Sequence, residues 1–91
     1  MELNELRNRI DDVDEELITL LERRMDVSAQ IAEWKQQRGF PVLDADREAA
    51  KLEGLKNKCR PETADLIADV FRAVMSSSRA HQEKMMEKRD G

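Results

Sequence analysis

Cysteine, aromatic residues, proline and glycine are all scarce in this 91-residue chain. The lone Cys59 excludes an intramolecular disulfide and indicates that the fold does not need an oxidising compartment. Aromatic residues make up 3% of the chain, with no tyrosine, so the core must be aliphatic. This composition favours helices, because sheets are enriched in β-branched and aromatic residues.

Long apolar runs and several catalytic motifs are missing as well. The N-terminus is charged from the start, and no run resembles a signal peptide or a membrane span. A net charge of −4 gives no general attraction to nucleic acid or anionic lipid. His81 has no ligand partners at metal-site spacing, Ser76–Ser78 belong to no recognisable triad, and there is no glycine-rich phosphate loop. We expect a soluble cytoplasmic protein, folded as one domain over residues 1–91.

What the chain contains is three apolar patterns of helical period. The first runs from about Glu2 to Gln37 without proline or glycine, with Asn4 as its cap, and Gly39 and Pro41 form the stop signal. Its stripe consists of Leu3, Leu6, Ile10, Val13, Leu17, Leu20, Leu21, Val27 and Ile31.

Two shorter patterns follow. The second helix is predicted to begin at Asp44, a good N-cap, and to end around Asn57 or Cys59. Its apolar side is Ala45, Ala49, Leu52 and Leu55. The third helix is predicted to open at Pro61 and carries Leu66, Ile67, Val70, Phe71, Val74 and Met75.

The length of the first helix predicts the assembly. A helix of about 35 residues spans roughly 50 Å, whereas a compact monomer of this size is only about 30 Å across. The first helix would therefore protrude with its leucine seam bare, and a second copy running alongside would cover it. The predicted fold is all-α, with three helices per chain and an intertwined homodimer.

Polar residues interrupt the apolar stripes. In the first helix, steps of three and four residues from Leu17 and Leu20 reach Arg24, Ser28, Ile31 and Lys35. In the third helix, the same steps continue the stripe from Val74 to Ser78 and Gln82. On the second helix, Asp44, Arg47 and Glu48 share a face. Because unpaired charges are costly to bury, inward-facing cations predict a pocket for a small anion with more than one carboxylate.

Each of these residues also has a structural interpretation. Arg24 can extend into solvent from the edge of a seam. Arg7, which lies at the edge of the first stripe four residues after Leu3, can pair with Asp11 one turn later. Lys35 lies where a cation complements the helix dipole. Arg47 can pair with Glu48 on its own helix, and Ser78 can mark a close helix crossing. The coincidence of all these interruptions favours the pocket.

The combined pattern resembles the all-helical chorismate mutases over roughly Leu3 to Gln82. The matching residues are Leu6-Arg7, Ile10, Asp14, Leu17, Leu20-Leu21, Arg23-Arg24, Lys35, Pro41-Val42, Asp44-x-x-Arg47-Glu48 and Ser78-x-x-x-Gln82. The resemblance implies a cofactor-free rearrangement of chorismate to prephenate, in the biosynthesis of phenylalanine and tyrosine.

The resemblance also implies a role for each residue. Arg24, with Ser78, would bind one carboxylate, and Arg7 would reach the substrate from the partner subunit. Lys35 would contact a carboxylate and, with Gln82, the ether oxygen that gains negative charge as its C–O bond breaks. Glu48 and Asp44 would hold the ring hydroxyl, with Arg47 ordering Glu48.

Two other functions fit the pattern less well. An isochorismate-pyruvate lyase would share the fold and the cations, but Asp44-x-x-Arg47-Glu48 favours the mutase. A non-catalytic helical dimer, serving as a regulatory or adaptor module, would be expected to have leucine at positions 24 and 35. The pattern leaves open whether the domain stands alone or belongs to a bifunctional enzyme.

Overall fold

Three α-helices and one short 3-10 turn make up the computed structural model, which describes residues 2–90, and of residues 88–90 the backbone alone. Helix α1 spans Leu3–Arg38, α2 spans Ala45–Leu55 and α3 spans Ala64–Asp90, with the 3-10 turn Pro61–Thr63 leading into α3. The described residues contain no strand. The predicted all-α fold with a long first helix is confirmed.

Helix α1 ends as its sequence requires. Gly39 adopts a left-handed conformation with φ 72°, which a residue with a side chain rarely tolerates. Its N–H and that of Phe40 then bond the last free carbonyls of α1, at Gln36 and Lys35. At the other end the prediction of Asn4 as the cap is wrong: Glu2 is the N-cap, without a side-chain cap bond.

Helix α2 begins as predicted but is shorter than predicted. The Asp44 Oδ1 accepts a hydrogen bond from the Arg47 N–H at 3.0 Å, which satisfies one of the unpaired donors of the first turn. The helix stops at Leu55 rather than at Asn57 or Cys59, and a turn over residues 56–58 follows. Helix α3 likewise starts at Ala64, after the 3-10 turn that contains Pro61.

Helix α3 is the centre of the packing, since it contacts both α1 and α2. Among the described residues, no helix-to-helix contact joins α1 to α2. The chain measures 54 × 27 × 14 Å, so α1 extends well beyond the other two helices, as its length predicted. Within the described part of the chain, no helix is long and apolar enough to span a membrane.

The core of a single chain is very small. Ala32, Leu55 and Met75 are the only apolar side chains that are buried in the described region. The stripe of α1 from Leu3 to Leu21 is exposed instead, including Ile10 at 61% and Val13 at 60%. An aliphatic seam of this length without cover is unusual for a stable monomer.

Candidate active site

A cavity of about 460 Å³ lies between the C-terminal half of α1, helix α2 and the C-terminal half of α3. Its apolar lining comes from Val27, Ile31, Val42 and Met75. Its charged lining comes from Arg24, Lys35, Asp44, Arg47, Glu48, Lys51 and Arg79, and its neutral polar lining from Ser28, Ser78 and Gln82. Five cations against two carboxylates give the cavity an excess of positive charge in an acidic protein.

Arg24 enters the cavity from α1 and is held by α3. Its Nη1 donates to the Ser78 Oγ at 2.7 Å, across the crossing of the two helices. Ser78 is buried and Arg24 is half-buried. Because the acceptor is neutral, it does not compensate the charge of the guanidinium. The remaining N–H donors of Arg24 are available for a ligand.

Lys35 enters the cavity three turns further along α1. Its Nζ donates to the backbone carbonyl of Val42 at 2.8 Å, which ties the loop before α2 to the end of α1. Eleven residues separate it from Arg24, so both lie on one face of α1, about 16 Å apart along the helix axis. Neither cation has a carboxylate within 4 Å among the described residues.

Gln82 and Ser28 form a buried polar pair at the α1–α3 contact. The Gln82 Nε2 donates to the Ser28 Oγ at 2.7 Å and to the Ser28 carbonyl at 3.0 Å. Both side chains are more than nine-tenths buried. Buried amides and hydroxyls need such partners, and this pair fixes the orientation of the Gln82 amide at the cavity wall.

Helix α2 contributes the carboxylates. Asp44 caps the helix, and Glu48 lies one turn later with its Oε2 2.9 Å from the Arg79 Nε on α3. The structure therefore pairs Glu48 with Arg79, rather than with Arg47 as in the structural interpretation of Arg47 given above. Arg47 is exposed at the rim of the cavity.

The cavity brings together seven of the eight residues predicted as the site: Arg24, Lys35, Asp44, Arg47, Glu48, Ser78 and Gln82. Arg7 is not among them. It is exposed on α1 and lies about 26 Å along the helix axis from Arg24. Within one chain, Arg7 cannot reach the cavity.

Three polar lining residues were not predicted as site residues: Ser28, Lys51 and Arg79. Ser28 lies on the predicted stripe of α1 between Arg24 and Ile31, and that position was the available signal. Arg79 and Lys51 lie on turns adjacent to predicted site residues, and their sequence positions carry no comparable signal. The described residues contain no cluster of three or more metal-ligating side chains.

Comparison with known proteins shows the family to which the chain belongs. The model of the family described as chorismate mutase type II matches residues 6–83. The chain is 36% identical over 84 residues to the T-protein of Haemophilus influenzae, covering 90% of this chain and 22% of that protein. It is 33% identical over 85 residues to a bifunctional chorismate mutase/prephenate dehydratase of Enterobacter agglomerans, covering 91% of this chain and 22% of that protein.

A shorter relative is similar over most of its length. The chain is 26% identical over 87 residues to the chorismate mutase of Methanocaldococcus jannaschii, covering 93% of this chain and 88% of that protein. By contrast, the chain spans about a fifth of the length of the T-proteins that it matches. No solved structure matches it significantly. The family match covers the helices and the cavity alike, and the chain belongs to the chorismate mutase type II family.

Proposed function

We propose that this chain catalyses the rearrangement of chorismate to prephenate. The observation that carries the proposal is the cavity with Arg24 and Lys35 on one wall, each held by a neutral acceptor and neither compensated by an acid. Such a site favours a small ligand with two separated negative charges, because each cation regains a strong partner on binding. Chorismate is a dicarboxylate of this kind.

In this proposal the two cations bind different groups of the substrate. Arg24 binds one carboxylate through the guanidinium donors that Ser78 does not use. Lys35 leaves the Val42 carbonyl and donates to the second carboxylate and to the ether oxygen, where negative charge grows as the C–O bond breaks. The apolar side chains of Val27, Ile31 and Met75 exclude water from the carbon framework.

Gln82 is the proposed second donor to the ether oxygen. An amide nitrogen carries two protons. The two acceptors that it meets belong to the same residue, Ser28, so one shared proton can satisfy both. The second proton then remains for the ligand, and Ser28 keeps the amide nitrogen directed toward it.

Helix α2 covers the remaining side of the substrate. The Glu48 carboxylate has a second oxygen beyond the one that faces Arg79, and we propose that it accepts the ring hydroxyl. Asp44 and Arg47 lie beside it at the start of α2. Their proposed role is to shape the rim around that hydroxyl.

The energy that this mechanism needs is within reach of these groups. A pericyclic step requires neither a nucleophile nor a general base, so the residues act by positioning and by stabilising charge. Even a ~10⁶-fold acceleration corresponds to about 8 kcal/mol. A donor aimed at developing negative charge contributes about 3–4 kcal/mol, and a restrained near-attack geometry of the flexible side chain contributes part of the rest.

We further propose that the site is completed by a second copy of the chain. The exposed stripe of α1 has six aliphatic side chains from Leu3 to Leu20 on one face. Burying them against another helix would contribute on the order of 10 kcal/mol, comparable to the stability of a whole domain. In a dimer with antiparallel α1 helices, the partner's Arg7 would reach the cavity and bind a substrate carboxylate.

Incubation with chorismate and, separately, with isochorismate tests the proposed activity. Chorismate should disappear with formation of prephenate, identified by its acid-catalysed conversion to phenylpyruvate. Release of pyruvate from isochorismate as the main activity would instead assign the protein as a lyase. A chain that neither binds nor consumes either compound would be a non-catalytic helical module.

A further inference from the structure

Arg79 is a cation of the cavity that forms an ion pair with a residue of another helix. It follows Ser78 on α3, and its Nε lies 2.9 Å from the Glu48 Oε2 on α2. The two side chains are 36% and 24% exposed, so the pair is partly shielded from solvent. The ion pairs of Lys56 with Glu53, Arg60 with Glu62 and Arg72 with Asp69 instead join neighbours that are two or three positions apart in sequence.

Helix α2 is held unevenly. Its C-terminal half is anchored by the buried Leu55 and the half-buried Leu52. In its N-terminal half, Ala45 and Ala49 are both exposed, so apolar packing does not hold this end. Because α2 makes no helix-to-helix contact with α1 among the described residues, the ion pair of Glu48 with Arg79 is what links this end of α2 to α3 through side chains.

One other contact restrains this region, and the substrate would remove it. The Lys35 Nζ holds the loop before α2 through the Val42 carbonyl. In the proposed mechanism Lys35 turns to the substrate and gives up that bond. The link through Arg79 then becomes the main restraint on the first turns of α2 while a ligand is bound.

We propose that Arg79 is a positioning residue, which fixes the Glu48 carboxylate and the N-terminal half of α2 over the cavity. This inference rests on the proposed function, in which the other oxygen of Glu48 accepts the substrate's ring hydroxyl. Arg79 occupies one carboxylate oxygen and leaves the second directed at the ligand. The role that the family resemblance assigned to Arg47, ordering Glu48, belongs to Arg79.

The burial of the Arg79 Nε supports a role through Glu48 rather than direct contact with the ligand. This nitrogen is inaccessible to solvent, and it meets no acceptor in hydrogen-bond geometry among the described residues, although Glu48 is close. An N–H donor that water cannot reach is stabilised by the negative charge beside it, and removing that charge leaves the donor uncompensated. Arg79 and Glu48 should therefore act as a unit, and their substitutions should be non-additive.

The first test needs no substrate. Amide hydrogen exchange is compared in the wild type, Arg79→Met and the control Arg72→Met, whose residue makes an exposed pair with Asp69 within the same helix. Arg79→Met should raise exchange about tenfold in residues 45–50 and leave α1 unchanged. Arg72→Met should have no effect there. Unchanged exchange over residues 45–50 in Arg79→Met would overturn the inference, whether or not the protein consumes chorismate.

The second test uses turnover. Arg79→Met should lower kcat/KM about tenfold, mostly through a higher KM, and Arg79→Lys should restore much of the loss, because a cation then remains near Glu48. In the Glu48→Gln background, Arg79→Met should cost less than about twofold. A full tenfold loss in that background would mean that Arg79 contacts the ligand directly. An inactive wild type with raised exchange in Arg79→Met would reject the proposed function and keep the positioning role.

Discussion

The two halves of α1 carry the same helical periodicity but have opposite surroundings. Every described residue up to Arg23 is exposed, and the stripe in this half is purely aliphatic. From Arg24 onward the same face contacts α3, and Ser28 and Ala32 are buried. Here the face is mixed, with Arg24, Ser28 and Lys35 replacing the aliphatic residues.

This difference divides α1 into two halves, to which our proposals give different roles. The C-terminal half forms the site, and its polar residues find partners on α3 or in the loop before α2. The N-terminal half offers apolar area and has nothing within its own chain to cover it. A stripe without polar interruptions indicates an interface, whereas interruptions with partners across helices indicate a pocket.

The largest expected effect lies in the C-terminal half. Lys35→Ala should lower kcat by about 10²-fold or more while helix content and the assembly state are retained, because it removes a donor to the developing charge. Circular dichroism, size-exclusion chromatography and steady-state kinetics measure the three quantities, with the exposed Lys58→Ala as the control. A lower melting temperature with little change in kcat would make Lys35 structural.

A mixing experiment connects the two halves. Arg7→Ala and Lys35→Ala chains are each expected to be nearly inactive, but random exchange of subunits should restore about a quarter of the wild-type sites. Each mixed dimer then has one site with both residues intact. Absence of recovery, with subunit exchange verified by mass spectrometry of differently tagged chains, would reject a site shared between subunits.

A charge in the exposed seam should act through assembly. Val13→Lys should shift the protein toward monomer and lower activity about tenfold at micromolar concentration, because a lysine in the seam must be desolvated on association. Thr19→Lys adds the same charge on a different face of α1 and should leave both quantities unchanged. Sedimentation velocity, combined with activity at several protein concentrations, gives the comparison. A monomeric wild type with full activity would contradict the dimer.

The smallest effect concerns the orientation of Gln82. Ser28→Ala removes the closer of its two acceptors and should lower kcat about threefold, since the backbone carbonyl still holds the amide. Ser76→Ala, at an exposed position of α3, is the matched control. A rise in kcat would show that Ser28 competes with the substrate for the amide proton.

The sequence predicted a helix end correctly where the chemistry of a single residue fixes that end. Gly39 ends α1 because its left-handed conformation closes the final turn, and Asp44 opens α2 through its side chain. The prediction failed where no single residue dominates. At the start of α1 no side chain makes a cap bond, so nothing local favours Asn4 over Glu2 as the N-cap. Helix α2 ends at Leu55, where the sequence has no proline to mark the end.

The helical periodicity of the sequence predicted those site residues that lie on the apolar stripes. Arg24, Lys35, Ser78 and Gln82 were predicted from stripe positions, and the structure places all four at one cavity. Arg79 was missed because it lies one residue beyond Ser78, turned about 100° around α3. Its significance comes from Glu48, which is distant in sequence and reaches it only through the placement of α2.

The sequence by itself determined the helical class, the long first helix, the polar interruptions of the stripes and the aliphatic seam in the N-terminal half of α1. These features are local, since each follows from residue type and a period of 3.6. Only the tertiary structure decided which groups are partners: Arg24 with Ser78, Gln82 with Ser28, and Glu48 with Arg79 rather than Arg47. Hydrogen bonds and ion pairs require contact within a few ångströms, and the crossing of α3 with α1 and α2 sets those distances.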